Sequence, residues 1–207
     1  IDFEALRARM VERQIEFRGI RNPRVLEAMA RVPRHEFVPE RYRSFSYDDN
    51  PLPIGLEQTI SQPYIVALMT ELVDPQPADR ILEVGTGSGY QAAVAAAVVD
   101  YVYSIEIIPE LAESAALRLR RLGIANVSVR EGDGYLGWPE EGPFDGILVT
   151  AGAQDIPQPL VDQLVEGGRM IIPVGRTSNR QVLKLIEKLE GGRTEVRDVI
   201  PVRFVPL

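Results

Sequence analysis

The sequence predicts an α/β protein built on a doubly wound, mostly parallel sheet, with extra N-terminal helices and a C-terminal β-hairpin. Three observations carry that prediction. From Arg80 onward, short aliphatic runs alternate with amphipathic or alanine-rich stretches, the pattern of strands joined by crossover helices. A glycine-rich run, Gly85-Thr86-Gly87-Ser88-Gly89, lies directly between the first such strand and the first such helix. Before Arg80 the apolar spacing is helical instead.

Taken in order, Phe3, Leu6 and Met10 recur at helical spacing, and Gly19 follows as a stop. Asn22-Pro23 is a cap residue followed by the favoured first helical position, with Val25, Leu26 and Met29 as the apolar face. Pro33 disfavours helix in the residue before it, so this helix ends near Val32. The stretch from Pro33 to Pro63 is dense in Pro, Gly, Asn and Asp, and predicts a long ordered loop of the kind that carries function. Pro63 then opens a helix to Leu72 through Ile65, Leu68 and Met69.

Beyond it, strands are predicted at 81–84, 101–107, 126–130, 144–150 and 169–174. Helices are predicted at 90–99, 109–122 and 157–165, the second closed by Gly123. Residues 181–189 and 195–205 read as two strands around Gly191-Gly192. Residues 1–62 therefore form N-terminal helices with a site loop, and 63–207 the α/β core.

Composition removes several chemistries. The chain has no cysteine, which excludes disulfides, thiolate metal sites and a cysteine nucleophile. It has one histidine, His35, so no site built on several imidazoles is available and no metal is expected. His35 sits between Arg34 and Glu36 in a segment that reads as structural. A formal charge of −7 with scattered Lys and Arg argues against nucleic acid as a partner. No apolar run approaches the ~20 residues needed to cross a bilayer, so no membrane partner is expected. Residues 1–10 alternate apolar and charged types rather than forming a secretory signal, and the expected form is a cytoplasmic monomer.

The run Glu83-Val84-Gly85-Thr86-Gly87-Ser88-Gly89 is the strongest local signal, because ligands of such sheets sit beyond the carboxyl ends of the strands. A dinucleotide loop would be spaced G-x-G-x-x-G; this one is G-x-G-x-G with an acid two positions before the first glycine. It resembles motif I of class I methyltransferases, which binds the amino-acid part of S-adenosylmethionine. Glu83 suits a cofactor carrying an ammonium and a sulfonium and would repel a pyrophosphate. Glu106 ends the next strand, 17 residues after Gly89, where an acid accepts hydrogen bonds from ribose hydroxyls. Asp133 and Gly134 follow the third strand where this superfamily contacts adenine; alone, Gly132-Asp133-Gly134 is only a turn signal. Tyr135 and Trp138 follow, either stacking on adenine or simply packing. No Asp/Asn-Pro-Pro-aromatic tetrad, the mark of adenine amino-group methylation, follows the fourth strand; that place reads Val149-Thr150-Ala151-Gly152-Ala153.

Pro51-Leu52-Pro53-Ile54-Gly55 followed by Gln58-Thr59-Ile60-Ser61-Gln62-Pro63 resembles the signature of the protein-L-isoaspartate(D-aspartate) O-methyltransferase family. So do the segments 32–39, Gly132-Asp133-Gly134 with Gly137-Trp138, Pro143-Phe144-Asp145 and Phe204-Val205-Pro206-Leu207, in the same order along the chain. The resemblance implies a Rossmann-like methyltransferase fold. It also implies S-adenosyl-L-methionine as cofactor and isoaspartyl-containing proteins and peptides as partners, repaired through a methyl ester that closes to a succinimide. It places Ser61 in the active site, orienting the isoaspartyl carboxylate toward the sulfonium methyl, with Gln58, Thr59 and Ile60 lining the same pocket. On residue type alone Ser61 reads first as a helix N-cap before Pro63, and only the resemblance reverses that reading. Glu57 departs from the family pattern, where Gly is common, and so does Gly152-Ala153-Gln154. A methyltransferase of this fold acting on another carboxylate or a small molecule, and a nucleoside-binding protein without turnover, remain the alternatives.

Overall fold

The computed structural model describes residues 1–177 and 180–207. Helix α1 (Phe3–Met10) starts where the Asp2 carboxylate accepts the Ala5 N–H at 3.0 Å, and continues as π-helical turns over Val11–Glu16. Helix α2 (Pro23–Arg31) is capped as expected: Asn22 Oδ1 accepts the N–H groups of Arg24 and Val25 at 3.0 and 3.4 Å. Its buried Val25, Ala28 and Met29 face the core. Glu71 of α3 (Pro63–Leu72) accepts the N–H groups of Arg21 and Asn22, each at 2.7 Å, and so ties the two helices together.

The stretch from Pro33 to Pro63 is more regular than its composition predicts. It contains two 3₁₀ turns, Arg34–Phe37 and Glu40–Phe45, and an antiparallel hairpin of β1 (Leu52–Gly55) and β2 (Gln58–Ile60). The hairpin escapes prediction because its two-residue turn is Leu56-Glu57 rather than Asn-Gly. Both residues take φ values in the left-handed region, +52° and +58°, which suits the right-handed twist of the strands. Arg34 holds this region down. Fully buried, it donates from Nε to the Ser46 carbonyl at 2.6 Å and lies 4.9 Å over the Tyr90 ring, and burial lowers its pKa.

The core alternates as expected: β3 (Arg80–Val84), α4 (Tyr90–Ala96), β4 (Tyr101–Glu106), α5 (Pro109–Arg121), β5 (Val127–Glu131), β6 (Phe144–Val149), α6 (Gln158–Asp162) and β7 (Leu164–Thr177). β8 (Arg180–Lys188) and β9 (Thr194–Val202) complete one seven-stranded sheet of order β5-β4-β3-β6-β7-β8-β9. The pairs from β5 through β7 are parallel; β8 and β9 add as antiparallel strands. The chain winds outward from β3 to β5, then returns to lay β6 on the other side of β3, which makes the switch point at which such sheets bind ligands. Side chains alternate across β3: Ile81 joins Met29, Val66 and Ala93 on one face, and Leu82 joins Ile147 and Leu160 on the other.

Several boundaries differ from expectation: α4 ends at Ala96 rather than at 99, and the larger shifts fall around α6 and at the end of β9. α6 is five residues long and β7 begins at Leu164, because Leu164 already pairs with Phe144 of β6. β9 stops at Val202 instead of reaching Val205, because the tail leaves the ladder to bond elsewhere. The Val205 carbonyl accepts the Gly152 N–H at 2.7 Å, and Leu207 N–H donates to the Gly152 carbonyl at 2.8 Å.

Candidate functional site

The loop joining β3 to α4 lies at the switch point. Gly85 sits at φ +97°, and a β-carbon there would lie 2.7 Å from Thr150 Oγ1, so a larger residue would displace the threonine. The Thr150 hydroxyl donates to the Gly85 carbonyl at 2.6 Å and fixes the loop against the end of β6. Gly134 is confined more severely, since a β-carbon there would fall 2.2 Å from Val84 Cγ1. Both glycines keep backbone, not side chain, on the wall of a cleft of about 840 Å³, open mouth included.

The Glu106 carboxylate faces that cleft, 6% exposed. Its Oε2 accepts the Gly87 N–H at 2.8 Å and its Oε1 the Ile108 N–H at 3.0 Å, which fixes its orientation and leaves lone pairs for a diol. Asp133 spans its turn by accepting the Tyr135 N–H at 2.9 Å. Thr86, Gly87, Ser88, Asp133 and Gly134 all line the cleft. Opposite them stand Gln58, Thr59, Ile60 and Ser61 from the hairpin and its exit.

Glu83 and Gly89 are the two sequence-predicted residues that do not reach the wall. Gly89 opens α4 at φ +89°, its missing β-carbon 3.4 Å from Ala115 Cβ, and acts as a packed turn. Glu83 lies beneath the loop with no exposed surface. The Ser104 hydroxyl donates to its Oε1 at 2.5 Å and bonds Thr86 Oγ1 at 2.5 Å, so a chain of hydroxyls connects Glu83 to a cleft-lining side chain. Oε2 has no partner among the described residues. Burial, more than the charge of Glu106, pushes the Glu83 pKa up to about 8, while the Ser104 hydrogen bond pulls it down.

Ser61 does not cap α3. The cap position belongs to Gln62, whose side chain makes no capping bond and instead donates to Asp49 Oδ1 at 2.6 Å; Asp49 pairs with Arg18 at 2.8 Å. The Ser61 hydroxyl has no partner among the described residues, and Ser61 lies where the first cleft meets a second of about 710 Å³. Thr59, Ser61, Thr150 and Val205 line both clefts; Pro51, Ile65, Arg203 and Phe204 line only the second.

Sequence reasoning missed Thr150 and the tail as walls. Thr150 carries no motif beyond the tetrad that is absent around it, and residues 204–207 enter only through the resemblance, because apolar tail residues carry no chemical signal. His35 is off both clefts: it stacks on Phe3 at 4.0 Å, its Nδ1 lies 2.8 Å from the Tyr47 hydroxyl, and burial lowers its pKa. Trp138 packs edge-on against Tyr103 at 5.4 Å under the Arg130 guanidinium, and Tyr135 is exposed; neither lines the cleft. Glu57 sits exposed at the hairpin tip and lines neither cleft. Gly152 leaves room for Gln181, whose Nε2 would lie 2.1 Å from a β-carbon there. Among the described residues no cluster of acids or histidine can hold a metal, and no helix is long and apolar enough to cross a membrane.

A parallel sheet of this order, with a glycine loop and a strand-end acid facing one nucleoside-sized cleft, is the architecture of a class I methyltransferase. A solved protein-L-isoaspartate O-methyltransferase superposes with TM-score 0.87 at 34% identity over 97% of this chain, which spans 65% of the length of that one. A Plasmodium falciparum structure described as a candidate enzyme of the same name, in complex with S-adenosyl-L-homocysteine, gives TM-score 0.81 at 29% identity, covering 100% of this chain and 98% of its own. Protein-L-isoaspartate O-methyltransferase 2 of Syntrophobacter fumaroxidans is 63% identical over 186 residues, 90% of this chain and 75% of the relative. The enzyme of that name from Opitutus terrae is 56% identical over 97% of this chain and 85% of its own. The family model for protein-L-isoaspartate(D-aspartate) O-methyltransferase matches residues 5–207, and the chain belongs to that family.

Proposed function

We propose that this chain transfers a methyl group from S-adenosyl-L-methionine to the free carboxylate of L-isoaspartyl residues in damaged proteins and peptides. The ester then closes to a succinimide, which starts repair. The observation that carries the reading is the Ser61 hydroxyl, without a partner among the described residues, at the junction of two clefts, the first of which is walled by the glycine loop and Glu106.

The residues present fit the cofactor. Gly85 and Gly134 leave room that a β-carbon would fill, Glu106 presents a fixed carboxylate to a ribose, and Glu83 offers an unpartnered buried oxygen beneath the loop. Gly85, Thr86, Gly87 and Ser88 would hold its amino-acid part, with Glu83 acting through Ser104 and Thr86; Asp133 and Gly134 would border adenine, and Gly89 would set the turn. When bound, the cofactor supplies an electrophilic methyl group on a sulfonium.

A carboxylate is ionised at neutral pH, so the acceptor needs no general base. That agrees with cleft walls carrying no histidine. Ser61 donates one hydrogen bond to the acceptor carboxylate and fixes which oxygen points inward, while Gln58, Thr59 and Ile60 position the acceptor backbone. Alignment is where most of the rate arises. Residues 1–62 supply the hairpin and loop on the acceptor side, and 63–207 form the cofactor-binding core, whose residues 201–205 also wall the second cleft; the division is supported by the hairpin lying over the glycine loop, with Ile54 Cδ1 3.5 Å from where a Gly87 β-carbon would be. The same reading has the chain act as a cytoplasmic monomer on proteins, without nucleic-acid or membrane partners; its charge of −7 supports that choice.

The test is transfer of labelled methyl groups to matched peptides differing only in an isoaspartyl or aspartyl linkage. Label is expected on the isoaspartyl member alone. Equal labelling would overturn the specificity, and cofactor binding with neither peptide labelled would leave a nucleoside-binding protein.

A further inference from the structure

The second cleft has a one-sided charge. Its walls are Pro51, Thr59, Ser61, Gln62, Ile65, Thr150 and residues 201–205; Arg203 is the one ionisable side chain among these described residues, exposed and bordering as well a groove shared with Arg180 and Val182. No carboxylate of the described residues pairs with Arg203. Asp49, which accepts a hydrogen bond from the cleft-lining Gln62 but does not itself line the cleft, is paired with Arg18 at 2.8 Å. Glu57, the acid that sequence alone places near the acceptor, is on neither cleft wall. Arg203 is also held at a set height, since the next residue, Phe204, is bonded to Gln181 through both its N–H and its carbonyl at 2.7 and 3.1 Å. A protein of net charge −7 thus keeps on the wall of this cleft an arginine that no carboxylate of the described residues pairs.

We propose that Arg203 is a specificity determinant that recognises a second carboxylate on the acceptor, the side chain of an Asp or Glu flanking the isoaspartyl residue. Damaged sites in acidic sequence are then the preferred substrates. The proposal rests on the isoaspartyl reading above. The physical basis is long-range attraction plus a fork of N–H donors matched to a carboxylate. The reacting carboxylate is left to Ser61, so the arginine does not drain charge from the attacking oxygen.

The experiment uses three isoaspartyl peptides of equal length, flanked by Glu, by Gln or by Lys, assayed with the intact chain, Arg203→Gln and Arg203→Lys. In the intact chain kcat/KM should be about threefold to fivefold higher for the Glu peptide than for the Gln peptide, the range of a partly exposed ion pair. The Lys peptide should rank last, and raising salt should compress the series. In Arg203→Gln the Glu-to-Gln ratio should fall to about one, and in Arg203→Lys it should persist at reduced size. A flat series in the intact chain, or the same ranking in Arg203→Gln, would overturn the assignment. Turnover of the Gln peptide by the intact chain verifies the isoaspartyl reading separately; its absence would sink that reading, and this one with it.

Discussion

Gln181 grips Phe204 from both sides: its Oε1 accepts the Phe204 N–H at 2.7 Å and its Nε2 donates to the Phe204 carbonyl at 3.1 Å. Gln181 is 3% exposed, so these bonds form away from water, and they hold the segment that walls both clefts. Replacing it with Ala leaves two backbone groups without partners, at about 1 kcal/mol or more each. Gln181→Ala should lower the melting temperature by on the order of 5 °C and raise KM for the acceptor peptide. An unchanged melting curve would remove the clamp from the account.

Ser61→Ala tests the orienting role. A hydrogen bond to a charged group is worth about 1.5–3 kcal/mol, so kcat should fall by about tenfold or more. Calorimetry with S-adenosylhomocysteine should give an affinity close to that of the parent chain. A loss confined to cofactor binding would move Ser61 out of the acceptor site.

Glu106→Gln keeps the side-chain size and removes the charge. Cofactor affinity should drop by about 1–3 kcal/mol, read by the same calorimetry. Because Glu106 also bonds Gly87, the variant's glycine loop should exchange its amide hydrogens faster. Neither change appearing would refute the ribose assignment.

Glu83 makes the ligand-free chain sensitive to pH. Its folded pKa of about 8 lies above the ordinary carboxylate range, so the folded state binds more protons than the unfolded state between roughly pH 4.5 and 8. Its contribution to stability is complete at acid pH and is lost as pH rises toward 8. Thermal melts of the free chain from pH 5 to 8 should show that loss, and Glu83→Gln should flatten it. A cationic cofactor should also oppose it, by favouring the ionised carboxylate. A profile identical in the variant would mean that Glu83 does not titrate there.

Much of this was legible in the sequence, for local reasons. Pro, Asn and Gly marked helix ends, so α2 starts and stops where Asn22 and Pro33 dictate. The βα alternation gave the sheet, and the glycine spacing located the cleft. Hidden features were those set by tertiary contact. The Leu56-Glu57 turn lacks the usual residues, and only packing of the hairpin over the glycine loop explains why it forms. Glu83 is on the right strand but points beneath the loop, a distinction of side-chain direction that spacing cannot make. The tail was invisible because Gln181 and Gly152, distant in sequence, decide where it goes.

Thr59, Ser61, Thr150 and Val205 form the end of one cleft and the beginning of the other. A substitution that changes the bulk of any of these four side chains reshapes both clefts at once, so few are tolerable. Pro51, Ile65 and Arg203 line the second cleft and not the first. Retuning of substrate choice, by natural drift or by engineering, is therefore channelled to that outer wall, where the preferred acceptor can change while the methyl donor stays the same.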